Sequence, residues 1–167
     1  MNILDGYEQF VDRVNHGLER VNISADELAM MDHICYRVET DERYREILEI
    51  LGGAILLGEA MISGRPIATI ELEKPLEAGG WKIPYLELPA PKASSPYPEG
   101  LEHVEFVVVG DLGKFEARHP ELPFERAGMS KDLNPELGLK VVGMSVKFHG
   151  IPLGEVVRVE HLMGRTL

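Results

Sequence analysis

Two octapeptides carry one strand pattern with a histidine in the same place, Met31-Asp32-His33-Ile34-Cys35-Tyr36-Arg37-Val38 and Leu101-Glu102-His103-Val104-Glu105-Phe106-Val107-Val108. A chain that repeats a strand in this way reads as an internal duplication, and its fold must accommodate two copies of one unit. In each half an alternating strand farther along carries a glutamate. These are Glu87 in Tyr85-Leu86-Glu87-Leu88 and Glu160 in Arg158-Val159-Glu160-His161, 54 residues after His33 and 57 after His103. Two imidazoles and two carboxylates in matched places suit a divalent metal.

With 167 residues, 44% of them hydrophobic, the chain can bury one core or two small modules sharing an interface. Its 28 acidic residues outnumber 17 basic ones, giving a formal charge of −11 that repels phosphate backbones and anionic lipids. Neither nucleic acid nor a membrane is an expected partner; a small-molecule ligand is, on a monomer or a homodimer. The single cysteine, Cys35, rules out an internal disulfide, and the N-terminus has no cationic, apolar leader, so a reducing cytoplasm is the expected location. Cys35 itself reads as a small buried hydrophobe.

Residues 3 to 21 place Leu4, Tyr7, Phe10, Val11, Val14, Leu18 and Val21 at helical spacing. Ser24-Ala25-Asp26-Glu27 has capping-box spacing and predicts a second, short helix through Met30, so residues 1–30 form a helical extension packed on the domain. After the His33 strand, Thr40-Asp41 caps a helix carrying Tyr44, Ile47, Leu48 and Leu51, which the Gly52-Gly53 pair ends. Strands over 54–61, 66–73 and 83–88 complete a βαβββ module spanning 31–88. Residues 89 to 98 hold four prolines, which block both helix and ladder and mark residues 89–100 as a linker. The second module, 101–167, repeats the order. It has the His103 strand, a helix from Asp111 to about His119, a strand near Phe124, a strand from Leu139 to Phe148, and a last strand from Val156 to Leu162.

Alternation puts His33, Cys35 and Arg37 on one face of their strand, and Ile34, Tyr36 and Val38 on the other. His103 and Glu105 likewise oppose Val104, Phe106 and Val108, while Tyr85 and Glu87 oppose Leu86 and Leu88. The same parity adds Thr69 and Glu71 from one strand and Ser145, Lys147 and His149 from another. One sheet face is apolar and needs helices over it; the other is studded with ionisable groups and must be open or cupped. Arg37 and Lys147 on the cupped face would hold a carboxylate or phosphate of a substrate, or neutralise the glutamates. Tyr85 and His149 fall on the same lining. His16, His119 and His161 read as structural.

The stretches around His33, Gly64-Arg65-Pro66-Ile67, Leu86-Glu87-Leu88-Pro89-Ala90-Pro91-Lys92 and Gly100 to Val107 resemble the YecM-like family of the vicinal-oxygen-chelate superfamily, from about residue 30 to the end. The resemblance implies an α+β fold. Two βαβββ modules form a cupped, eight-stranded mixed sheet, a single domain over 31–167 behind the helical N-terminus. It also implies metal ligands from the first and last strand of each module, which here are His33, Glu87, His103 and Glu160. Zn, Ni, Mn or Fe(II) suits such a set, with open positions for a bidentate oxygen substrate.

Superfamily members that keep four ligands, such as glyoxalase I and methylmalonyl-CoA epimerase, are Lewis-acid catalysts. The implied function is therefore metal-dependent isomerase or lyase chemistry on a small oxygenated metabolite. Glu160, Glu87 or Glu71 would serve as the base next to a polarised carbonyl. The alternatives are a non-catalytic sequestering module of the bleomycin-resistance type and an extradiol-type dioxygenase, which uses two histidines and one carboxylate. Only 7% of the residues are aromatic, and one chain holds both modules, which ranks the sequestering module lower.

Overall fold

The two histidine strands lie side by side at the centre of one sheet. The computed structural model describes residues 3–51, 54–92 and 96–165. Its elements are α1 (Tyr7–Arg20), β1 (Leu28–Arg37), α2 (Asp41–Ile50), β2 (Ile55–Ile62), β3 (Arg65–Ala78), β4 (Trp81–Pro89), β5 (Gly100–Val108), α3 (Leu112–Arg118), β6 (Glu136–Val141), β7 (Met144–His149) and α4 (Leu153–Leu162), with 3-10 turns at Ala25–Glu27 and Ala127–Ser130. The sheet order is β2-β3-β4-β1-β5-β7-β6. The halves meet where β1 and β5 pair antiparallel, with His33 opposite Glu105 and Cys35 opposite His103. Within each half the first and last strands run parallel, β1 with β4 and β5 with β7.

The apolar face follows the predicted parity. Ile34, Leu86, Val104, Phe106, Val146 and Phe148 are fully buried, each contributing about 1.5–3 kcal/mol relative to exposure. Three helices join this core. Thr40 Oγ1 accepts the Arg43 N–H to start α2, which buries Tyr44 and Ile47. Asp111 does the same for Lys114 at α3, which buries Phe115 against Phe148, with ring centroids 4.9 Å apart. The third, α1, buries Phe10, Val11, Val14 and Leu18 and spans both modules. Asn15 donates to Gly79 O (3.1 Å) and accepts from Trp81 Nε1 (2.9 Å) in module one. Gly17 rests where a Cβ would stand 2.8 Å from the Val141 side chain in module two.

Four features differ from the sequence expectation, and the described sheet has seven strands rather than eight. The expected helix after Ser24 is one 3-10 turn. Glu27 does accept the Ser24 N–H (3.1 Å), but its carboxylate also binds Arg118 Nε (2.7 Å) and His119 Nε2 (3.1 Å), and β1 begins at once with Leu28. Around Phe124 only an isolated bridge forms, Glu125 to Gly138, because Pro120 and Pro123 remove the donors a strand needs. The stretch from Leu139 to Phe148 is a hairpin, β6–β7. Val142 (φ +44°) and Gly143 (φ +80°) form its two-residue turn, and the turn signal was masked by flanking β-branched residues.

The fourth difference matters most for function. Residues 156 to 162 are not a strand but the body of α4, entered through Pro152 with acidic Glu155 in its first turn. Val157 and Gly154 face inward at near-helical spacing, and Gly154 sits so close on the Tyr85 hydroxyl that a Cβ would collide with it. The open side of the sheet is thereby roofed by a helix against β2 and β3. No helix among the described residues is long and apolar enough to cross a membrane.

Candidate metal centre

A bulge in β1 between Met31 and His33 sets the geometry of the site. It breaks strict alternation, so Asp32 joins His33 on the polar side while Met31 and Ile34 both stay in the core. Asp32 is fully buried beside His33, and its Oδ2 lies 2.9 Å from His33 Nδ1. The second half uses the same device, with its own register shift in the β1–β5 pairing at Glu102, whose Oε2 is hydrogen-bonded to His103 Nδ1. In both modules the residue before the histidine therefore grips Nδ1 and leaves Nε2 to face the cup.

The Nε2 atoms converge on two carboxylates. Glu105 Oε1 lies 3.1 Å from His103 Nε2 and 3.5 Å from His33 Nε2, and Glu87 offers one oxygen to each histidine at 3.9 Å. Donor atoms of His33, His103 and Glu105 all fall within 4.8 Å of one another. His33 Nε2 is buried with no hydrogen-bond partner, an atom oriented for something the polypeptide does not provide. Donor separations of about 3–3.5 Å are what bonds of about 2.0–2.2 Å to a single ion require, so imidazole and carboxylate here fit a divalent metal.

The electrostatics reflect the acids gathered around the two imidazoles. Burial alone would lower the His33 imidazole, but Glu105, Asp32 and Glu87 outweigh it and push it up to about 9. His103 is likewise raised well above its ordinary value, burial being overcome by Cys35, Glu102 and Glu105. Burial works against the Glu105 carboxylate too, yet His33, His103 and Lys147 hold it well below the usual range. Burial lifts the Cys35 thiol to about 11. His149 is the exception, lowered chiefly by burial.

The other predicted site residues are dispersed around this centre. Glu160 lines the cavity from α4, not from a strand. Its expected strand position does not exist. The strand parallel to β5 is β7, where Lys147 stands beside Glu105 as Glu87 stands beside Cys35. Lys147 Nζ binds Glu105 Oε1 at 2.8 Å and lies 3.5 Å from Glu136. Arg37 is engaged outside the cavity, 3.1 Å from Glu102 and 4.5 Å above the Tyr97 ring. Tyr85 is packed under Gly154 with Glu71 beside it in register, and neither lines the cavity. His149 is buried at the wall. Asp32 and Glu102 were missed because alternation assigns them to the apolar side; their adjacency to each histidine was the available signal.

The cavity measures about 380 Å³, with Ile62, Ile67, Leu153 and Val156 as its apolar wall and His33, Glu87, Glu105 and Glu160 as its polar floor and roof. Its shape and balance suit a small ligand with one oxygenated end.

Residues 1–132 match the profile of the family described as YecM protein. Protein YecM of Escherichia coli (strain K12) is 36% identical over 144 residues, 86% of this chain and 67% of that protein. Among solved structures, Protein EC4020 from structural genomics superposes with a TM-score of 0.74 at 28% identity, covering 95% of this chain and 91% of that one. Streptomyces coelicolor methylmalonyl-CoA epimerase in complex with 2-nitronate-propionyl-CoA superposes with a TM-score of 0.55 at 15% identity, covering 74% and 97%. The chain shares its fold with methylmalonyl-CoA epimerase structures.

Proposed function

The chain belongs to the YecM family, and from that premise we propose that it binds a divalent metal in its cup and acts on a small oxygenated metabolite by isomerase- or lyase-type proton transfer. The observation that carries this reading is the convergence of His33 Nε2 and His103 Nε2 on Glu87 and Glu105, each imidazole held from behind by a carboxylate. The ligand set we assign is His33, His103, Glu87 and Glu105, with Glu105 taking the place expected of Glu160. A metal bound there supplies a Lewis acid for a carbonyl oxygen.

The chain's own residues do the rest. Asp32 and Glu102 keep a proton on each Nδ1 and so direct the Nε2 lone pairs inward. Lys147 keeps Glu105 ionised and oriented. Ile62, Ile67 and Val156 exclude water from the ligand's apolar portion. The Glu160 side chain lines the cavity with no hydrogen bond or ion pair among the described residues, which frees its carboxylate to remove a proton from a carbon next to the carbonyl. The epimerase complexed with a CoA ester has this fold and supports a ligand of the acyl type.

The test is proton exchange in deuterium oxide, with the metal-loaded protein and a panel of 2-oxo acids, 2-hydroxy ketones and acyl thioesters. Loss of the carbon-bound proton signal is expected for at least one, slowed by about 10²–10⁴-fold in Glu160→Gln. Tight binding without exchange across the panel would instead support the sequestering module. One observation favours that second reading: Lys147, 2.8 Å from Glu105 and 3.5 Å from Glu136, already compensates charge in the cup.

A further inference from the structure

His149 is the buried polar group that a single metal leaves unused. It ends β7 with 1% of its surface exposed, lines the cavity, and has both ring nitrogens buried without a hydrogen-bond partner. Its ring stacks on that of His33, centroids 6.2 Å apart. An imidazole with two unsatisfied nitrogens in a closed polar site is costly unless something completes it.

The nearest groups are both carboxylates. His149 Nε2 is 3.5 Å from Asp32 Oδ2 and 3.5 Å from Glu105 Oε2. Asp32, His33 and His149 form a fully buried group whose donor atoms lie within 4.8 Å of one another. The two oxygens of Glu105 thus serve opposite sides. Oε1 faces His33 and His103, and Oε2 faces His149. A carboxylate with one oxygen toward two imidazoles and the other toward a third is the geometry that bridges two metal ions about 3.5–4 Å apart.

We propose that the cup holds a second divalent cation, on His149, Asp32 and Glu105, with the Glu105 carboxylate bridging it to the first. Asp32 retains capacity for this role. Its Oδ2 accepts His33 Nδ1 at 2.9 Å and the Leu153 N–H at 3.0 Å, whereas Oδ1 has only the Leu153 N–H at 3.2 Å and keeps a lone pair for a cation. The first-row ions that accept imidazole with carboxylate, zinc and manganese among them, are the class the site takes. A bridged pair would hold two oxygens of one ligand side by side, which narrows the substrate to compounds with adjacent oxygen donors. The proposal rests on the single-metal reading through Glu105, which both positions share.

The experiment measures zinc per chain in the untagged full-length protein after zinc chloride loading and dialysis, for the wild type, His103→Ala and His149→Ala. The expected result is about two equivalents in the wild type and about one in each variant. If the wild type holds one equivalent and His149→Ala holds the same one, the second position is refuted while the first stands. If the wild type holds one and His149→Ala none, His149 is a ligand of a single ion and the proposal is likewise overturned. No zinc in the wild type refutes both readings.

A manganese-loaded wild type supplies an arm that needs no variant to fold. An exchange-coupled paramagnetic resonance spectrum is expected, and an isolated six-line spectrum at saturation contradicts the bridge.

Discussion

In module one the parallel pair β1–β4 sets Cys35 beside Glu87; in module two the equivalent pair β5–β7 sets Glu105 beside Lys147. Both modules keep the histidine, the carboxylate before it and the capped helix after it. What duplication preserved is the means of aiming an imidazole. What diverged is the supply of charge, with one carboxylate from a last strand, one from a first strand, and a lysine where symmetry calls for an acid.

That asymmetry predicts unequal responses to substitution. The largest expected effect is at the lysine. Lys147→Met leaves Glu105 buried beside its neighbours without the ammonium and should cost the metal-free protein on the order of 3 kcal/mol in urea melts. Glu87→Gln, its counterpart, makes no hydrogen bond among the described residues and should change those melts by less than about 1 kcal/mol while still weakening metal binding. Equal costs at the two positions would break the comparison.

Next come the residues behind the histidines. Asp32→Asn and Glu102→Gln should each weaken zinc binding about 10–100-fold in competition titrations. Asp32 should show the larger loss, since it also accepts the first N–H of α4. An effect from only one of the two would show that the modules are not functionally paired.

A smaller effect tests the strap across both halves. Gly17→Ala gains about 1 kcal/mol in helix propensity but drives a Cβ to 2.8 Å from Val141, and overpacking costs about 1–3 kcal/mol. A net loss near 1 kcal/mol in thermal or urea melts is expected, and a gain would mean that α1 lifts freely from module two. The smallest effect lies at Glu27, whose carboxyl is lowered because Arg118, Ser24 and His119 outweigh its burial. A depressed folded value gives stability that is present above the unfolded value near 4.5 and lost as pH falls through the folded one. Glu27→Gln should therefore narrow the stability gap between pH 7 and pH 3, read by melts at both.

The same comparison explains what could be read from the amino acids. Module one was legible element by element because Thr40 caps its helix and Ser63-Gly64 and Gly79-Gly80 supply two positive-φ residues at each turn between its strands. His33, His103 and Glu87 followed from parity. Module two obscured its plan, because Val142 occupies a turn position that β-branched residues rarely adopt, hiding the β6–β7 hairpin. With β7 hidden, the valine-rich 156–159 region stood in as the last strand and drew Glu160 into the ligand set. The Asp32 bulge escaped for a different reason, since it is fixed by pairing with β5 and no local sequence rule announces it.

The central claim is that both histidines serve one metal site built across the duplication. Elemental analysis of untagged protein, compared with the folded His33→Ala/His103→Ala double variant, tests it most directly. At least about one equivalent of divalent metal per wild-type chain and near-complete loss in the variant is the expected result. Equal metal content in the two proteins would contradict it.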